Sequence, residues 1–130
     1  MYFPYVRGRQ YELLALREMI EGNLLSSKII PIIEPVKLSP TLIKTMEAYV
    51  EKGRKLIIIC NPAVGTFGSD MNKVNIEKDK SKKKFLSLLE SDKILKGHIM
   101  KKNSKAFVYS AYQIHIDCTI EQCLIFIQIN

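Results

Sequence analysis

Glu34 and His98 are the side chains best suited to moving a proton, and Arg7, Lys37 and Asn61 are suited to holding an anionic or polar ligand beside them. Each lies at or near the end of an apolar segment. Glu34 closes the isoleucine-rich run KIIPIIEPVK at 28–37, with Lys37 just beyond it, and Arg7 follows the aromatic opening MYFPYV. Asn61 follows LIIIC, and His98 is carried by ILKGHIM. Gathered at one mouth, Glu34 would act as general base or metal ligand and His98 as a second catalytic group, with Arg7, Lys37 and Asn61 binding an anionic substrate. Each also has a structural reading. Strands end in polar residues anyway, and a salt bridge from Glu34 to Arg7 or Lys37 is the plainer use of that carboxylate. One glutamate does not hold a divalent ion unaided, so no metal site is expected.

The elements that must position these residues follow from periodicity. Residues 1–6 are aromatic and β-prone, and Pro4 suits an edge strand. From Arg9 the period changes, with Leu13, Leu16 and Ile20 on one helical face and Gly22 as the stop. The run 28–37 reads as a strand buried on both faces, although Pro31 lacks a ladder donor and Pro35 should end it. Ser39-Pro40 opens the next helix as N-cap and first-turn proline, and Gly53 closes it. LIIIC at 56–60 completes a strand–helix–strand unit.

Residues 63–79 read as a long irregular loop, and the stretch NPAVGTFGSD at 61–70 that leads into it lacks both the P-loop and the dinucleotide glycine patterns. A helix is expected from about Ser81, with Phe85, Leu86, Leu88 and Leu89 inward and lysines crowding a first turn where they oppose the helix dipole. A strand at 94–100, a helix after Asn103 or Ser104 carrying Phe107, Val108, Ala111 and Tyr112, and a last buried strand at 124–129 complete the reading. IHIDC at 114–118 also fits a hairpin strand. The fold class is α/β, with parallel βα repeats forming a partial TIM-barrel-like sheet of about five strands. Residues 1–130 read as a single domain incomplete at its C-terminal end, because a full barrel needs roughly 250 residues.

Composition narrows the classes. The chain has 130 residues, 47% hydrophobic and 25% charged, as in ordinary globular domains. Its net charge of +7 permits acidic partners, and the lysine-rich stretch 78–84 supplies much of the excess. Nucleic-acid binding through that face remains open, but only Phe85 adjoins it as an aromatic. Cys60, Cys118 and Cys123 have neither zinc nor disulfide spacing, and no apolar run reaches membrane-span length, so a reducing cytoplasm is expected. No cofactor is named by any motif.

The segments YFPYVRGRQYELLALRE, IIPIIEPVK and IIICNPAVG resemble the phage beta-protein family and its uncharacterised bacterial relatives over the first half of the chain. Arg7, Gly8, Glu12, Pro31, Glu34, Asn61 and Pro62 carry the match. The resemblance implies the N-terminal part of a longer barrel-like protein of phage or phage-defence type, and it brings no catalytic assignment. Action through protein interaction is the first expectation, with self-association through an exposed C-terminal strand as one route. An enzyme using Glu34 at the strand ends is the alternative, and a nucleic-acid binder is the third.

Overall fold

The computed structural model describes residues 1–72, 76–100 and, as backbone, 125–127. Strands β1 (Tyr5–Gly8), β2 (Ile32–Pro35), β3 (Leu56–Ile59) and β4 (Ile94–Ile99) alternate with helices α1 (Gln10–Glu21), α2 (Pro40–Glu51), α3 (Phe67–Asn72) and α4 (Ile76–Leu89). A fifth strand, β5 (Ile125–Ile127), pairs with β4. All pairings are parallel and the order is β1-β2-β3-β4-β5, so each strand lies beside its predecessor. This is the α/β repeat that the periodicity predicts. The predicted helix after Asn103 and the alternating segment at 114–118 lie outside the described residues.

The sheet has two unlike faces. Ile33, Leu56, Ile58 and Ile94 pack with Leu13, Leu16 and Ile20 of α1, Leu42, Met46 and Tyr49 of α2, Phe67 of α3, and Phe85 and Leu89 of α4. The opposite face carries Ile30, Ile32, Ile57, Ile59 and Ile99 with Leu95, and among the described residues no helix joins that cluster. Alternation along a strand sorts the side chains. A sequential order with crossovers of one hand then puts every helix on one side. Each fully buried isoleucine contributes roughly 1.5–3 kcal/mol, so both layers are worth keeping apolar.

Local chemistry sets the helix ends. Glu12 Oε2 accepts the Arg9 backbone N–H at 3.1 Å at the start of α1, and Ser39 Oγ accepts the Leu42 N–H at 3.2 Å at the start of α2. The Thr45 hydroxyl donates to Thr41 O at 2.8 Å within α2 and also reaches Leu13 O at 3.2 Å, joining α2 to α1. At their other ends both helices close on backbone bonds: Leu24 N–H to Met19 O at 2.9 Å, and Arg54 N–H to Tyr49 O at 2.9 Å. Asn23 (φ 54°) and Gly53 (φ 64°) take the left-handed conformation those closures require.

Three sequence expectations change. The stretch 63–79 is not wholly irregular, since it contains α3 and the start of α4. Because α4 begins at Ile76, the lysines from Lys80 to Lys84 sit within the helix and not in its first turn, which removes most of the conflict with the dipole. Leu86, expected inward, is exposed, because Phe85 and Leu89 fix the buried face four residues apart.

Candidate functional site

The carboxyl ends of β1, β2 and β3 meet around Glu34. Its residue position is only 3% exposed. The Tyr5 hydroxyl donates to Glu34 Oε2 at 2.5 Å, and the Ala63 backbone N–H donates to Oε1 at 2.9 Å. Both carboxylate oxygens therefore face neutral donors, where the sequence suggests a salt bridge to Arg7 or Lys37. The result is a latch that ties β1, β2 and the loop after β3 together. Burial first, and then the bond to Glu34, hold the Tyr5 hydroxyl proton well above its usual range. Tyr5 is thus a firm donor and Glu34 its acceptor.

Strand register shows which predicted residues share this face. Tyr5 aligns with Ile32 and Arg7 with Glu34, so Tyr5, Arg7, Ile32 and Glu34 project to the same side. Ile32 aligns with Ile57, Ile57 with Leu95 and Ile59 with Gly97. His98 lies one residue past Gly97, and alternation turns it to the helix-covered face, opposite Glu34. The pair expected to share catalysis is thereby split by the sheet. Desolvation lowers the His98 pKa from 6.5.

Asn61 has a different task. Its side-chain amide donates to Ile99 O at 3.0 Å, and its carbonyl accepts the Ile99 N–H at 2.7 Å. This two-way clasp extends the β3–β4 pairing beyond the last ladder position, so Asn61 holds the end of β4. Further out, Val36 O accepts the N–H groups of Thr66 (2.8 Å) and Phe67 (3.1 Å), and Asp70 Oδ2 accepts the Leu38 N–H (3.2 Å) and the Thr66 hydroxyl (3.1 Å). The loop after β2 and the loop before α3 are fastened to each other. Gly65 permits it: φ is 77°, and a Cβ there would lie 2.1 Å from Val36 O.

A cavity of about 460 Å³ opens at the starts of α1 and α2, just past the ends of β1 and β2, lined among others by Gly8, Arg9, Lys37, Ser39 and Thr41. Of the five residues chosen from the sequence, only Lys37 lines it. Arg7 stays on the Glu34 face, exposed, at the end of β1. Arg9, not singled out by the sequence reading, adds a second cation. Its signal was its place directly before a helix start. Tyr5 was also missed, although it shares strand parity with Arg7, which sequence alternation alone could have raised. Gly8 lies against β2 so closely that a Cβ would sit 3.1 Å from Ile33 Cγ2 and 3.2 Å from Glu34 O.

Elsewhere, Lys84 of the lysine-rich helix pairs with Glu47 of α2 at 2.5 Å. Burial raises the Cys60 thiol pKa, which disfavours a reactive thiolate. Among the described residues no group of three metal-ligating side chains occurs, and no helix is long and apolar enough to cross a membrane. Compared with protein-family models, with curated proteins and with solved structures, the chain matches none.

Proposed function

We propose that this chain is the N-terminal part of a barrel-like βα protein, of the phage or phage-defence type its motifs resemble, which acts by binding a protein partner at the strand carboxyl rim. Sequential parallel strand order with helices packed on one face supports the barrel, because repeating the same step curls a sheet toward closure. One observation carries the binding role: Glu34 is engaged at both oxygens in holding β1 and the loop after β3, while Lys37 and Arg9 line an open cavity at the starts of α1 and α2. A stiff rim with cationic side chains at a concave opening suits acidic side chains on a partner surface.

Affinity capture from the native host tests this with the wild-type chain and an Arg9→Glu/Lys37→Glu variant. The reading expects a specific protein retained by the wild type and lost from the variant, with the unfolding midpoint unchanged. Equal retention by both, or no partner at all, overturns it.

A second reading rests on the 2.5 Å contact between Tyr5 and Glu34, which sets a proton donor against an acceptor at the rim as general acid–base catalysis does. An enzyme of this kind would turn over an anionic substrate drawn by Lys37. It would be slowed by Tyr5→Phe without loss of fold.

A further inference from the structure

The cavity at the starts of α1 and α2 has a positive lining. Arg9 and Lys37 contribute to it, and among the described residues no acidic one does. Glu12 meets Arg9 only loosely, at 3.9 Å with both side chains more than a third exposed, and among the described residues Lys37 enters no ion pair. Ser39 adds a donor of a different kind. It lines the cavity, is 8% exposed and accepts the Leu42 N–H on Oγ, yet among the described residues its own hydroxyl proton meets no acceptor. A buried donor without an acceptor is costly unless a ligand supplies one. The Gln10 and Thr41 N–H groups, in the first turns of two 12-residue helices that start at this opening, have no acceptor within their helices either.

The loop that carries Lys37 is already fixed. Val36 O accepts the Thr66 and Phe67 N–H groups, and the Leu38 N–H donates to Asp70 Oδ2, so the backbone is fastened on both sides of Lys37. A site ordered in advance loses little freedom on binding. We propose that this cavity binds the phosphate group of a small molecule, with Arg9 and Lys37 offsetting its charge and the Ser39 hydroxyl and first-turn N–H groups donating to its oxygens. Three phosphate oxygens suit donors that arrive from two helices and a loop, whereas a carboxylate offers only two oxygens in one plane. The volume of about 460 Å³ lies within the range of small-molecule sites and leaves room for the body that bears the phosphate. This inference rests on the same cationic opening as the partner reading, but it names a free ligand where that reading names a protein surface.

Titration of the whole chain with inorganic phosphate at constant ionic strength, followed by heteronuclear NMR, tests the proposal. The wild type is expected to show saturable shifts of the Ser39 and Thr41 amides. Ser39→Asp keeps a good helix cap while replacing the donor with a negative charge, and it should lose at least about tenfold in affinity with the fold retained. Lys37→Gln, at an exposed position outside the core, should weaken binding by about tenfold. Shifts that do not saturate overturn the proposal, as do shifts centred on Lys80 to Lys84 of α4 or unchanged affinity in both variants. Each of these results leaves the partner reading standing, since docking by charge needs no Ser39 hydroxyl, and a failed protein capture leaves the phosphate titration unaffected.

Discussion

The two ends of the sheet are closed by different means. Where helices return to strands, the chain closes chiefly on backbone bonds within a few residues, Leu24 to Met19 and Arg54 to Tyr49, with Asn23 and Gly53 at positive φ, and the Arg54 side chain adds a longer reach to Ser26 O at 2.5 Å. Where strands leave the sheet, side chains reach across the sequence. Glu34 holds Tyr5 and Ala63, each 29 residues away, and Asn61 clasps Ile99, 38 residues away. The first kind of closure is a local habit of helices and serves any βα repeat. The second depends on which residues the strand register brings together, and it fixes the loop after β3 and the end of β4.

Two glycine substitutions break the comparison most sharply. Gly65→Ala should cost more than about 3 kcal/mol, because positive φ is compounded by a Cβ that would meet Val36 O at 2.1 Å. Gly53→Ala, at φ 64° with none of the described residues within 4 Å of the added Cβ, should cost only about 1 kcal/mol. Denaturant midpoints measured side by side check the contrast, and equal losses would show that crowding at the rim is unimportant.

Asn61→Ala should follow at about 2–3 kcal/mol, since it strips two bonds from the backbone of Ile99 and leaves a buried amide unpaired. Tyr49 sharpens the contrast from the other side. Its hydroxyl is buried in the helix layer without a hydrogen-bond partner among the described residues, and burial pushes its pKa up to about 12. Tyr49→Phe should therefore raise stability by up to about 1 kcal/mol in the same assay, where removing a rim polar group lowers it.

The smallest effect is the pH response of His98. Its folded pKa is lowered from 6.5 by burial, so below that value the unfolded chain binds the proton more readily. The contribution of His98 is present above pH 6.5 and is lost as pH falls through the folded value. His98→Asn should flatten this part of the stability profile, read from thermal midpoints across the acid range.

The same division explains what the sequence made legible. The α1 and α2 boundaries, the Ser39 cap and the LIIIC strand rest on spacing within one or two turns, and the structure reproduces them within a few residues. β2 is shorter than the apolar run 28–37 predicts: it spans only Ile32–Pro35, after Pro31 and an isolated bridge from Ile29 to Tyr2. α3 is hidden because six residues with three polar side chains and a glycine carry no usable helical period. The rim was legible in its membership but not in its roles. Glu34 and Asn61 were visible as polar strand ends, whereas their partners depend on register, which no single strand encodes. His98 was misjudged in side for the same reason, since one step of alternation decides the face.

The central claim is that the Glu34 carboxylate fastens the loop after β3 to the strands before it. Amide hydrogen exchange at Ala63, compared between the wild type and Glu34→Ala under conditions where both are folded, tests it most directly. The account predicts a protected Ala63 amide that loses protection selectively in the variant, while amides in the middle of β3 keep theirs. An Ala63 amide that exchanges equally fast in both proteins would contradict it.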